Sequence, residues 1–279
     1  MQEIEFKFQV PVKKRKALQK AFTLLKAEPI HLAAQYFDTA DQTLAKHCIA
    51  IRRRQENDEW KQTFKAVDTA KVLSRLELEF DIAPPETTTL DLDNYKKDYS
   101  AIYKKLKRAL GLPLPTLELL FETNIQRLRV LQNIGSSTVE IALDIGKIFK
   151  EQNSVDIFEI EFELKQGSIE DLIAFIQPWV QKYQLSLDTH SKSDYGLLAV
   201  RQQSSFSAQY QTPLVLNRSS SEVEALQSIV ANCLQHLLPN ASSIARQQYS
   251  SEHVHQARVA IRRLRTALKS FAAWSENIQ

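Results

Sequence analysis

Met1-Gln2-Glu3-Ile4-Glu5-Phe6-Lys7-Phe8-Gln9-Val10 alternates charged and apolar residues along its length. In an extended chain Glu3, Glu5 and Lys7 point one way and Ile4, Phe6 and Phe8 the other. One such strand fits any sheet with a wet face. The same rule, however, recurs down the chain. Arg52 and Arg54, then Arg75, Glu77 and Glu79, then Arg127 and Arg129, then Glu140 and Asp144, and finally Glu159, Glu161 and Glu163 are spaced two or four apart among bulky apolar residues. Many strands with one ionic and one apolar face need two different environments.

Outward from that first strand, Pro11 opens a helix to about Lys26, with Ala17, Leu18, Ala21, Phe22 and Leu25 on one face. Residues 31–38 read as a strand, followed by a turn anchored by Leu44. Residues 48–54 and 59–66 form a hairpin around Glu56-Asn57-Asp58-Glu59. A strand over 72–82 stops at Pro84-Pro85, and a helical run over 91–110 ends at Gly111. Strands are expected at about 117–131, 137–144, 146–151 and 155–165, with Gly135 and Gly146 marking turns. Ser168 caps a helix over 168–183, and Tyr195-Gly196-Leu197-Leu198 closes the region. A Gln- and Ser-rich linker follows, and from Ser221 the pattern is helical. The division expected is residues 1–200 as one domain, 201–220 as linker and 221–279 as a helical segment.

The 279 residues are 43% hydrophobic and 25% charged, the make-up of an ordinary globular chain. A net charge of +3 does not mark a nucleic-acid binder. Cys48 and Cys233 match no metal or redox spacing, and no signal-peptide pattern or apolar membrane-length run is present, so a reduced, cytoplasmic setting is expected. With five glycines and no Gly-rich phosphate loop, any phosphate must be held by side chains.

An open antiparallel sheet could turn its polar face to water. Against that, carboxylates at two-residue spacing repel one another, and a solvated face gains nothing from stacked Glu159, Glu161 and Glu163. The expected fold is therefore α+β: a closed eight-stranded antiparallel β-barrel flanked by helices, followed by a short all-α segment. A bore of that size holds one small ligand. Hard oxygen donors of this kind suit Mg²⁺ or Mn²⁺, and Arg and Lys suit phosphate. Carboxylate, metal, phosphate and arginine together are what phosphoryl transfer needs.

Glu3-Ile4-Glu5-Phe6-Lys7 resembles the E-x-E-x-K signature of the CYTH family, the triphosphate tunnel metalloenzymes. The resemblance continues in order through Ile51-Arg52-Arg53-Arg54, Thr63-Phe64-Lys65, Arg75-Leu76-Glu77-Leu78-Glu79, Arg127, Glu140-Ile141-Ala142-Leu143-Asp144-Ile145-Gly146, Glu159-Ile160-Glu161-Phe162-Glu163 and Ser191-Lys192-Ser193, covering about residues 1–200. It implies a barrel enclosing a triphosphate. Glu3, Glu5 and Lys7 would carry the chemistry, with Glu3, Glu5, Glu159 and Glu161 holding Mg²⁺ or Mn²⁺. Lys7, Arg52, Arg54, Lys65, Arg75, Arg127 and Lys192 would hold phosphate oxygens. Glu77, Glu79, Asp144 and Glu163 are left to hold metal, orient water or pair with the cations. Arg53 is expected on the outer face.

His253-Val254-His255-Gln256-Ala257-Arg258-Val259-Ala260-Ile261-Arg262-Arg263-Leu264-Arg265 resembles the opening motif of a CHAD domain, a helical polyphosphate-binding bundle. At helical spacing His255, Arg258, Arg262, Arg265 and Lys269 share one stripe, with Val254, Ala257, Ile261, Leu264 and Leu268 as the adjoining apolar one. The resemblance implies that the chain holds only the beginning of such a domain. Together these features lead to metal-dependent hydrolysis of inorganic triphosphate by a monomer or weak dimer, with polyphosphate as a second ligand of the helical segment and neither membrane nor nucleic acid as partner. The competing readings are an adenylate cyclase or a thiamine or nucleoside triphosphatase on the same barrel, and a non-catalytic polyphosphate-binding module. His31, His47, His190, Trp60, Trp179 and Trp274 are read as packing or surface residues.

Overall fold

The computed structural model describes residues 4–67, 75–90, 92, 95, 99–217 and 219–272. In chain order the elements are β1 (Glu5–Gln9), α1 (Val12–Leu24), β2 (Glu28–Asp38), α2 (Thr43–Lys46), β3 (Ile49–Glu56), β4 (Glu59–Val67), β5 (Arg75–Ile82), β6 (Thr89–Leu90), α3 (Ser100–Leu110), β7 (Leu117–Ile134), β8 (Ser137–Lys150), β9 (Asn153–Gln166), α4 (Ile169–Tyr183), β10 (Ser186–Leu187), α5 (Lys192–Val200), α6 (Glu222–Ala245) and α7 (Ser251–Ser270). Among the described residues no helix is long and apolar enough to cross a membrane.

The strands form one 10-stranded antiparallel sheet in the order β10-β1-β9-β8-β7-β2-β3-β4-β5, with β6 on β7. This corrects the expected closed barrel of eight strands. A strand has two hydrogen-bonding edges, and β1 uses one on β9 and the other on β10. The edge that closure onto β5 would need is therefore partly taken, and among the described residues no ladder joins β5 to β1 or β10. The two extra strands, β6 and β10, have two residues each. Gly146 is also reassigned: it lies inside the continuous β8, not at a turn. A Cβ there would stand 2.0 Å from the Asn124 carbonyl oxygen, so glycine is required by the close approach of β7.

Register sorts the residues as the alternation requires. Lys7 lies opposite Glu161, Asp144 opposite Glu159, Arg127 opposite Asp144, Arg52 opposite Thr63 and Lys65 opposite Glu77. All of these belong to one face of the sheet. Phe8, Ile141, Leu143, Ile160 and Phe162 take the other face, packed with Leu18 and Phe22 of α1 and Leu172 and Ile176 of α4. Full burial of residues such as Leu18 and Phe22 contributes about 1.5–3 kcal/mol each. Ile51 and Phe64 make a second outer core with Ile102 and Leu106 of α3.

The third core lies on the ionic face itself. Ile30, Leu32, Ala34 and Tyr36 of β2 join Phe121, Ile125, Ile148 and Ile157 beneath Tyr195 and Leu198 of α5. One end of the ionic face is thus an apolar seat for a helix. Gly196 makes the fit: a Cβ there would meet the Phe121 ring at 2.2 Å.

Sequence-read details hold locally. Leu44 is fully buried. Asn57 takes a left-handed φ of 54° in the β3–β4 turn, which Asn tolerates. The Ser168 side chain accepts from Asp171 N at 3.2 Å as the α4 cap. Residues 72–74 and part of 91–98, expected in a strand and a helix, lie outside the described residues. On α7 the apolar stripe is displaced. His253, Gln256, Ala257, Ala260 and Ala267 are the buried residues, whereas Val254, Ile261 and Leu268 are exposed. Gln256 and Arg263 turn toward α6, pairing with His236 and Asn232, and this polar seam sets the helix rotation.

Candidate active site: acids and cations on one sheet face

Asp144 of β8 and Glu159 and Glu161 of β9 bring carboxylate oxygens within 4.8 Å of one another. Three like charges in so little space demand cations. Lys192 is the first residue of α5, and its ammonium lies 2.7 Å from Asp144 Oδ2, 2.5 Å from Glu159 Oε1 and 2.8 Å from Glu161 Oε1. Arg127 of β7 forks onto Asp144 with two 2.7 Å bonds, and its Nη2 reaches Glu161 Oε2 across β8 at 2.5 Å. Lys7 of β1 lies 3.5 Å from Glu159 Oε2 and donates to the His190 carbonyl.

Burial alone would raise the pKa of Glu161 and Asp144; Lys192 and Arg127 outweigh it and hold both below the carboxylate range. The reverse holds for the cations. Burial lowers Lys192, Arg127 and Lys7, but the neighbouring carboxylates raise all three above their ordinary values.

A helix N-terminus disfavours a cation by about 0.3–1 kcal/mol. Lys192 sits there because the carboxylates outweigh that field and because the turn is locally fixed. Ser191 accepts from Asp194 N at 3.1 Å, and Asp194 Oδ2 accepts from Ser191 N at 2.7 Å, a reciprocal cap.

The β3–β5 half of the face is more open. Arg52 touches Tyr36 Oη at 3.3 Å and Thr63 Oγ1 at 3.4 Å. Arg54 pairs with Glu56 at 3.4 Å and Glu79 at 3.2 Å, and Lys65 with Glu77 at 2.8 Å. Burial and Arg52 lower the Arg54 pKa. Arg129 reaches Glu56 across β2 at 3.8 Å. Arg127–Glu161 is a second pair that reaches over an intervening strand, the long side chains spanning the roughly 9.5 Å between alternate strands.

Of the residues expected in the site, Lys7, Arg127, Lys192, Glu159 and Glu161 converge, together with Asp144. Arg52, Arg54, Lys65, Glu77 and Glu79 share the face on neighbouring strands. Glu5 is half-buried opposite Glu163, and Glu163 pairs with Lys165 at 2.7 Å; neither belongs to the three-carboxylate group. Glu3 lies outside the described residues, and Arg75 opens β5 opposite Val67. Arg53 lies over the Phe37 ring and donates to Thr87 O, on the outer face.

One partner, Asp188, carried no sequence signal. Asp188, buried just past β10, accepts from Tyr195 Oη at 2.8 Å and His190 N at 3.0 Å. Burial pushes the Asp188 carboxyl up, but Lys7 and the His190 bonds bring it well below the usual aspartate range. Tyr195 is pushed far above the phenol range by burial and by Asp188, so it remains a donor. His190 stacks on Phe206 with centroids 3.8 Å apart, and Trp179 packs among Phe22, Phe162 and Phe175.

The described carboxylates are hard oxygen donors clustered closely enough to share a small divalent ion. On α7, Arg258, Arg262, Arg265 and Lys269 form one exposed basic stripe, and His255 is exposed one turn before it.

The CYTH domain family matches residues 1–194. The chain belongs to the CYTH family. A CHAD domain matches residues 228–277. An inorganic triphosphatase of Haemophilus influenzae is 33% identical over 202 residues, covering 71% of this chain and 55% of the relative, so the chain spans about half the length of that protein. Two solved structures share the CYTH fold. A Bacillus halodurans protein described as a candidate adenylate cyclase has a TM-score of 0.50 at 21% identity, covering 69% of this chain and 96% of its own. A Hippeastrum protein described as a candidate adenylyl cyclase with a dominant triphosphatase activity has a TM-score of 0.50 at 18% identity, covering 72% of this chain and 96% of its own.

Proposed function

We propose that this CYTH chain hydrolyses inorganic triphosphate in the presence of Mg²⁺ or Mn²⁺. The observation that carries the reading is the buried Asp144–Glu159–Glu161 group, ringed by Lys7, Arg127 and Lys192 on the face that also bears Arg52, Arg54 and Lys65. The inorganic triphosphatase relative supports the substrate class.

Asp144, Glu159 and Glu161 would hold the metal, with Glu3 and Glu5 as further acidic residues. A bound divalent ion supplies Lewis-acid neutralisation of phosphoryl charge. Arg52, Arg54, Lys65 and Arg75 bind phosphate oxygens along β3–β5, and Arg127, Lys7 and Lys192 do so at the acidic end. Positioning of this kind, with charge stabilisation, is most of what phosphoryl transfer requires. Water adds to a terminal phosphorus, the anhydride P–O bond breaks, and pyrophosphate and phosphate leave. The exchange of partners is local: a phosphate entering beside Glu77 or Glu79 takes Lys65 or Arg54 from a carboxylate that already holds it on the site face.

In this reading residues 1–200 form the catalytic domain, 201–220 the linker and 221–279 the helical segment. The basic stripe of α7 would take polyphosphate as a second, salt-sensitive ligand. The test is a panel of tripolyphosphate, ATP and thiamine triphosphate, each with Mg²⁺ and Mn²⁺. Tripolyphosphate should be turned over fastest. Faster cleavage of ATP, or release of cyclic AMP, would replace this reading with the nucleotide one.

A further inference from the structure

The hairpin of α6 and α7 contacts both stretches that carry the site's lysines, β1 and the turn from β10 into α5. Ser242 of α6 accepts from Thr189 N at 3.2 Å and lies 3.1 Å from the Leu187 carbonyl oxygen, while its own carbonyl accepts from Gln9 Nε2 at 3.2 Å. One turn on, the Arg246 guanidinium lies over the Tyr195 ring, 4.2 Å from the centroid, and donates to the Asp156 carbonyl at 3.2 Å. Tyr195 is one helical turn past Lys192 on α5. Its hydroxyl is fixed by Asp188, whose backbone N–H donates to the Lys7 carbonyl at 2.8 Å. The Lys7 ammonium in turn donates to the His190 carbonyl. Every link from Arg246 to Lys7 and Lys192 is therefore a direct contact or a single turn of helix.

We propose that Arg246 is a positioning residue: by stacking on Tyr195 it holds α5 and the Asp188–His190 turn so that Lys7 and Lys192 face the carboxylates, and so ties the helical hairpin to triphosphate affinity. An arginine fits this role because its planar group stacks on an aromatic face while its N–H donors remain usable. The proposal rests on the triphosphatase reading and extends it to a residue outside the sheet.

The test compares the full chain with Arg246→Ala and Arg246→Lys by amide hydrogen exchange over Ser186–Ser191 and by KM and kcat for tripolyphosphate. Arg246→Ala should speed exchange in that segment and raise KM at least five-fold, with kcat within two-fold, and Arg246→Lys should recover part of both. Unchanged exchange, or faster exchange with unchanged KM, would overturn the proposal. If Arg246→Ala loses its native circular dichroism, Arg246→Lys, which keeps the charge but not the planar group, decides by the same two readouts, smaller changes of the same sign being expected and unchanged readouts overturning the proposal. A wild-type chain that does not cleave tripolyphosphate would sink the triphosphatase reading instead, while exchange would still show whether Arg246 holds the segment.

Discussion

Lys192 is a cation at the positive end of a helix, held there by three buried carboxylates. Removing one side of a buried charge cluster costs about 3–5 kcal/mol because the other side is left uncompensated. Lys192→Met should therefore lower the melting temperature, and Mn²⁺ should restore more of the loss than it adds to wild type, since the ion would neutralise the same oxygens. Equal shifts in both proteins would show that the trio does not take metal. Asp188 gives a pH-dependent counterpart. Its folded pKa lies below the unfolded value through Lys7, His190 and Tyr195, so the unfolded chain binds the proton more readily. Its stabilisation is complete above the unfolded aspartate pKa of about 4 and is lost as pH falls through the folded pKa. Asp188→Asn should lower stability at pH 7 and flatten its fall below about pH 4; an acid-unfolding curve parallel to wild type would contradict this. The two residues differ in legibility. Lys192 stands in a recognisable Ser-Lys-Ser, and the acids repeat at strand period, but nothing marks Asp188, because its role arises from packing between a two-residue strand and a helix.

Among the elements, α5 decides how the charged face is covered. Its seat is made of Ile30, Leu32, Ala34 and Tyr36 of β2, residues that share the ionic face with Arg52 and Arg54 but carry no charge. Alternation of charge and hydrocarbon disclosed the ionic strands; it could not disclose that β2 lends hydrocarbon to both faces. The same limit explains Gly146, whose glycine suggested a turn when its cause is the crowding of β7 against β8. Open edges were equally hidden, since pairing of Ser186–Leu187 with β1 depends on where α4 delivers the chain. At Gly196 a methyl group would strike the Phe121 ring, itself stacked on Tyr36 with centroids 4.5 Å apart. Gly196→Ala should cost about 1–3 kcal/mol by overpacking and raise KM for tripolyphosphate as Lys192 is displaced. Melting and kinetics unchanged from wild type would mean that α5 is not seated as described.

At the scale of the molecule, one sheet carries cores with α1, α3 and α4 on one face, and on the other an array of acids and cations beside the apolar seat of α5. The α6–α7 hairpin adds an exposed basic stripe on α7 and a direct hold on the β10–α5 segment. An array this charged, partly removed from water, is maintained at a cost in desolvation, and a metal with a polyanion is the ligand pair that uses both of its signs. The direct measurement is phosphate release from tripolyphosphate by the full chain after chelation, followed by titration with Mg²⁺ or Mn²⁺. Release should be near background in chelator and rise saturably with the metal. Metal-independent release, or none at any metal concentration, would contradict the account.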